Sequence, residues 1–137
     1  MNFVDPTPSR SAKRWDAAEW ATYYNFNLSA MAESVEFVLR AGPQRVAEHN
    51  RSLIEFMYRH LPEDRCIPAS PLEPGRRGPF GCFRARQPEG TVELYRKLRR
   101  DNIVVSLREG KIRVSPHLFN GEQDMERLVS VVRDWRN

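Results

Sequence analysis

Cysteine is scarce in this chain. Two cysteines, Cys66 and Cys82, stand among 137 residues. They are too few for a disulfide framework or a four-ligand zinc site, and no CxxC spacing brings them together. Long apolar runs are missing as well. The longest are short pieces such as Ile103-Val104-Val105, far below the ~18 residues of a membrane span. The N-terminus, MNFVDPTPSRSAK, lacks the apolar core of a secretory signal. A reduced, cytoplasmic protein is therefore expected. The sequence holds no GxGxxG, GxxxxGK[ST], HExxH or GxSxG, which removes the common phosphate-loop, zinc-protease and serine-hydrolase signatures. Gly75-Arg-Arg-Gly78 is too short to mark a phosphate loop. No internal repeat or low-complexity segment is present.

What remains is an ordinary globular balance, with 40% hydrophobic and 29% charged residues in 16.0 kDa. That suits one domain and the core it needs. The net charge is +4, and it is unevenly spread. Residues 84–113 hold nine basic residues against four acidic, a local excess of +5. Nucleic acid, phosphate and carboxylate ligands all fit such an excess.

Residues 1–15 read as an irregular arm broken by Pro6 and Pro8, and residues 16–137 as a single small domain. Asp16 can cap a helix with Glu19 as its reciprocal partner. Ala21, Tyr24, Leu28, Met31, Val35 and Val38 then recur at steps of three and four, which predicts a long helix over 17–40. Gly42 ends it and Pro43 suits the start of the next, whose stripe is Val46, Leu53, Ile54, Met57 and Leu61. Residues 62–79 read as a loop and 79–85 as a strand. Val92, Leu94, Tyr95 and Leu98 mark a third helix. Ile103–Ser106 and Lys111–Ser115 read as strands joined at Glu109-Gly110. Asn120, with Gln123 at the third position, is expected to cap the last helix, which buries Met125, Leu128, Val129 and Val132. The order α-α-β-α-β-β-α predicts an α+β, two-layer fold with a small, mostly antiparallel sheet packed by helices.

Few residues stand out chemically. His49 and His60 lie eleven apart on one helix, about three turns, and cannot share a metal. They read as solvent-facing or capping groups. His117, just before the last helix, is open to two uses, touching a ligand or ordering its loop. Cys82, flanked by Gly81 and Phe83, reads as a small core residue. Trp20, Tyr23, Tyr24 and Phe26 crowd the first helix, which is apolar on more than one side and so calls for a covering partner. Arg113 sits between Ile112 and Val114 and must face away from both. Its planar fork suits a carboxylate or phosphate, or simply solvent. Arg108 can share that role.

The run Ile112-Arg113-Val-Ser115-Pro-His117-Leu-Phe119-Asn120, followed by Asp124 and Leu128, resembles the C-terminal signature of the class V aminotransferases. These are fold type I pyridoxal phosphate (PLP) enzymes. They include cysteine desulfurases, kynureninases and isopenicillin N epimerase-like proteins. Arg14-Trp15-Asp16, Leu39-Arg-Ala-Gly42 and Val46–Leu53 fit the same pattern, and the likeness covers most of residues 12–135. It implies the small domain that closes over an amino-acid substrate, with Arg113 pairing with the α-carboxylate. It also implies a PLP-binding large domain or homodimer partner.

The departures are specific. Lys13, Lys97 and Lys111 lack the context of the family's Schiff-base lysine, so no catalytic residue is assigned. Ala17-Ala18-Glu19 stands where the family often carries Gly-Thr. Leu107–Gly110 carries no cysteine, which favours an aminotransferase- or epimerase-like parent over a desulfurase. The expectation is a truncated or split chain, inactive alone, with PLP in the parent enzyme and no cofactor on this chain. Two rival readings are a basic nucleic-acid-binding module and an interaction domain that docks on a full-length relative.

Overall fold

Alternation along two strands fixes which side of the sheet is interior. In β2 (Gly81–Ala85) every second residue, Gly81, Phe83 and Ala85, is buried. In β4 (Lys111–Val114) the buried residues are Ile112 and Val114. This computed structural model describes residues 17–136, with side chains from Leu28 onward except at Pro74. The expected arm over 1–15, the Asp16 cap and the Arg14-Trp15-Asp16 segment lie outside the described residues.

The chain divides into two units, one ending at Arg40 and one starting at Ala41. The first is the helix α1 (Ala17–Ala41), close to its expected span. Its stripe residues Leu28, Met31 and Val35 are exposed, as are Phe37 and Leu39. The side chains of Trp20, Tyr23, Tyr24 and Phe26 lie outside the described set.

The second unit is an α+β sandwich. It comprises α2 (Pro43–His60), β1 (Cys66–Pro68), β2, α3 (Thr91–Arg100), β3 (Ser106–Arg108), β4 and α4 (Glu122–Asp134). The strands form one antiparallel sheet in the order β1-β2-β4-β3. Helices α2, α3 and α4 pack on its inner face. Leu53, Ile54 and Met57 from α2, Leu94 and Leu98 from α3, and Leu128 and Val132 from α4 meet Phe83 and Ile112 there. Buried Thr91 accepts the Ala85 N–H at 3.1 Å, which ties the start of α3 to the end of β2. No helix among the described residues is long and apolar enough to cross a membrane.

Four expectations change in detail. The segment 62–79 holds β1, a strand too short and too proline-rich to be marked by alternation. It pairs Ile67 with Arg84. Residues 103–105 are not a strand. Asn102 takes a left-handed φ of 59°, and the Ile103 N–H donates to Leu98 O, so these residues wrap the end of α3. The strand starts at Ser106 and ends at the tight Glu109-Gly110 turn, where φ is 48° and 70°. The cap of α4 shifts by one residue. Gly121 is the N-cap, and its N–H donates to Asp124 Oδ2 at 3.0 Å. Cys82 has the outward parity of β2 and is half-buried, whereas Cys66 on β1 is the core thiol.

One junction holds the helix layer to the sheet with little slack. Tyr58 Oη accepts the Cys82 N–H at 2.8 Å and donates to the Cys82 carbonyl at 3.0 Å. Gly81 makes room for this. A Cβ there would lie 2.9 Å from Tyr58 Oη and 3.0 Å from both Ile54 Cγ2 and Met57 Cε. Gly81→Ala is expected to destabilise the fold by about 1–3 kcal/mol through overpacking. Tyr58→Phe should lose only about 0.5–1.5 kcal/mol, because the Cys82 N–H keeps Ser70 Oγ at 2.9 Å and its carbonyl keeps the Ala69 N–H at 2.7 Å. The two losses should sum to more than the double variant loses, because both act on one contact. Urea unfolding midpoints of the three variants check this.

Burial of Cys66 pushes its thiol from 9.0 up to about 12, the carboxylate of Asp64 adding to the effect. A raised acid pKa favours the protonated fold. Its stabilising share is therefore full below the unfolded thiol's pKa and is lost as pH climbs toward 12. Cys66→Val is expected to flatten the fall in stability over that alkaline window, read as the difference between the two urea-midpoint-versus-pH curves.

Candidate functional site

The outer face of the sheet is where the sequence-derived candidates gather. Arg113 projects from the middle of β4, between Cys82 on β2 and Ser106 on β3. Ile112 and Val114 point into the core, so Arg113 points out, as alternation requires. Its guanidinium carbon stands 5.5 Å from the centroid of the Phe80 ring. That distance is within the range of a cation–π contact, which holds the fork while leaving its charge uncompensated. The Nε of Arg113 is buried and has no hydrogen-bond partner among the described residues. No carboxylate among them lies within ion-pair distance of it.

Arg108 joins Arg113 on this face. Arg113 lies opposite Ser106, and Arg108 follows Ser106 by two residues on the same side of β3. The diagonal neighbours are roughly 7–8 Å apart at the backbone. Arg108 is exposed, at the last position before the hairpin turn. Lys111 and Arg84 also share the outward parity, although sequence reasoning did not single them out. The signal was available: Lys111 and Arg113 sit two apart, and a two-residue turn places Arg108 directly across from Lys111.

His117 belongs to a separate, local arrangement. Its N–H donates to Asn120 Oδ1 at 3.0 Å, and its carbonyl accepts the Asn120 N–H at 2.9 Å. The ring is exposed and stacks on Phe119 with centroids 5.5 Å apart. Of the two uses left open for it, the backbone supports loop ordering. Asn120 Nδ2 also donates to Asp124 Oδ2, and this bond with the Gly121 N–H holds the Asp124 carboxyl below its usual range. His49 Nε2 lies 2.9 Å from the Asn120 carbonyl, and His60 Nδ1 lies 2.8 Å from Phe56 O. Both read as structural groups. No cluster of three metal-ligating side chains occurs among the described residues.

The basic stretch 84–113 is split by the fold. On α3, Arg96 and Arg100 pair with Glu93, and Lys97 pairs with Asp101 at 3.0 Å. Those two arginines hold the exposed Glu93 carboxyl below its usual range. Arg84, Arg108, Lys111 and Arg113 lie on the open sheet face instead. The arrangement can bind and orient an anion there. The Cys82 thiol and the Ser106 hydroxyl on this face hydrogen-bond no histidine or carboxylate among the described residues.

No family model matches the chain, and no solved structure matches it. Among curated proteins it is similar to an isopenicillin N epimerase from Amycolatopsis lactamdurans, with 31% identity over 113 residues. The match takes in 77% of this chain and 28% of the relative, so the chain spans little more than a quarter of that enzyme's length. This relative is of the kind that the Ile112–Asn120 run resembles, and the similarity hints at a domain related to the PLP enzymes.

Proposed function

We propose that this chain is the substrate-closing C-terminal domain of a class V aminotransferase-like, PLP-dependent enzyme acting on an amino acid. Arg113 binds the α-carboxylate. The observation that carries the reading is a half-buried arginine, set on a strand and steadied by Phe80, with no anionic partner among the described residues. A buried polar group without a partner is unfavourable, and a carboxylate arriving edge-on satisfies two N–H groups at once. The similarity to the epimerase over most of the chain supports the same reading.

The described residues do not fit the cofactor itself. Lys97 is committed to Asp101, and Lys111 stands among arginines with no carboxylate beside it to meet a pyridinium nitrogen. Lys13 is outside the described residues. In such an enzyme the cofactor supplies an electron sink, and it is held by a large domain from elsewhere in the protein or from a partner chain. The role of this chain is positioning. Arg113 fixes the substrate by its carboxylate, and the sheet closes one side of the site to water. The cytoplasmic setting with both thiols reduced, the homodimer and the inactivity of the chain alone belong to the same proposal.

In the enzyme assembled with its PLP-binding domain, Arg113→Ala is expected to raise KM for the amino acid and lower kcat/KM by about 10²-fold. That is the equivalent of losing one bidentate charge-assisted contact. Arg113→Lys should recover only part, because an ammonium lacks the planar fork. Steady-state kinetics give the answer, and an Arg113→Ala enzyme with unaltered KM and turnover would refute the assignment.

A further inference from the structure

The registers of the open sheet face line up its positive charges. Arg108 on β3 pairs directly with Lys111 on β4. The β2–β4 register runs through Cys82–Arg113 and Phe83–Ile112, and one more residue along it sets Arg84 on the other flank of Lys111. Ile67 on β1 ends the row opposite Arg84. Three cations thus stand side by side across three strands, with Arg113 one row above, two residues along β4 from Lys111. None of the four is within ion-pair distance of an acid among the described residues. Glu109, next to Arg108, is held in the hairpin turn, exposed and outside any such pair. Arg84 reaches only the Ala85 carbonyl, at 3.3 Å.

Like charges directly opposite one another destabilise a sheet. Here Lys111 faces Arg108 directly and has Arg84 one register step along on its other side, and no acid among the described residues pairs with any of the three. We infer that the row Arg84–Lys111–Arg108 is a second anion subsite beside Arg113, and that the ligand is an amino acid carrying a second anionic group. The inference rests on the reading of Arg113 as the α-carboxylate site. Residues two apart on a strand are about 7 Å apart. Two carboxylates on one short aliphatic chain bridge that span. A nucleic acid suits the face less well. Base stacking needs a free aromatic platform, and the Phe80 ring is already covered by the Arg113 guanidinium.

Amide NMR titrations of the chain with L-alanine and with L-glutamate, at one fixed ionic strength, test this. Glutamate is expected to bind at least about tenfold more tightly than alanine, with shifts at Arg84, Arg108, Lys111 and Arg113. Arg108→Met and Lys111→Met should each narrow the ratio of the two affinities, whereas Arg113→Met should weaken both ligands. If alanine binds through Arg113 and glutamate binds no more tightly, the subsite falls and the Arg113 reading stands. If glutamate depends on Lys111 and Arg108 while alanine is indifferent to Arg113→Met, the subsite stands and the α-carboxylate reading falls. A saturable response to neither amino acid overturns the inference, as does a short single-stranded oligonucleotide that displaces glutamate from these residues. Lys111→Thr gives an independent readout, since removing the central charge should raise the Tm of the ligand-free chain. A lowered Tm would show that the row is already compensated.

Discussion

The helices α2, α3 and α4 cover one side of the sheet, and the rest of this unit follows from that. Phe83, Ile112 and Val114 must be inside for the domain to have a core at all, and each belongs to a strand of only four or five residues. A strand this short leaves no freedom to choose the exposure of its remaining side chains. Once Ile112 is packed against the helices, Lys111 and Arg113 are on the outer face. A slip of one residue in β4 would bury both cations and expose both apolar groups. The burial of Ile112 and Val114 therefore positions the cations of β4 as firmly as it positions the core.

This coupling explains why the candidate site lies on the sheet and not on the loops. Arg113 stands between its register partners Cys82 on β2 and Ser106 on β3 and is steadied by the Phe80 ring. The backbone beneath it is locked further by the Tyr58 hydroxyl, which takes both polar groups of Cys82, the residue paired with Arg113. The guanidinium thus rests on a chain of contacts that runs from α2 through β2 to β4. A positioning group gains from such a support, because little ordering remains to be done when a ligand arrives.

Much of this was legible in the sequence where periodicity was strong. The helices from Pro43 to His60 and from Thr91 to Arg100, and the hairpin at Glu109-Gly110, follow from apolar spacing, Pro43 and turn residues. The outward direction of Arg113 followed from its two neighbours. What failed to show was non-local. β1 is three residues among prolines and is defined only by its pairing with β2. Ile103-Val104-Val105 reads as a strand on propensity. The left-handed Asn102 and the Leu98 carbonyl instead turn it into the wrapping of a helix end, with Val104 exposed. Cys82 misses the core position expected of it, which Cys66 fills instead, because the phase of β2 is set by Gly81 meeting Tyr58, a contact that no local pattern encodes.

The charge pattern separates a helix from a sheet more sharply than composition does. On α3 three of the four cations have an acid at three, four or seven residues, Arg96 and Arg100 sharing Glu93 and Lys97 taking Asp101, while Arg99 has no ion pair among the described residues. On the outer face the cations come from three strands, and the turn acid Glu109 pairs with none of them. The same local excess of positive charge is therefore partly paired on one layer and unpaired on the other. A diffuse basic stretch in the sequence becomes, in the fold, a patch two rows deep with Arg113 at its centre strand. The distinction bears on function. Paired helix cations add solubility and a few tenths of a kcal/mol each, whereas unpaired cations fixed on a sheet have a defined geometry to offer an anion. What singles out Arg113 among them is the ring beneath it and the buried Nε that no described residue satisfies.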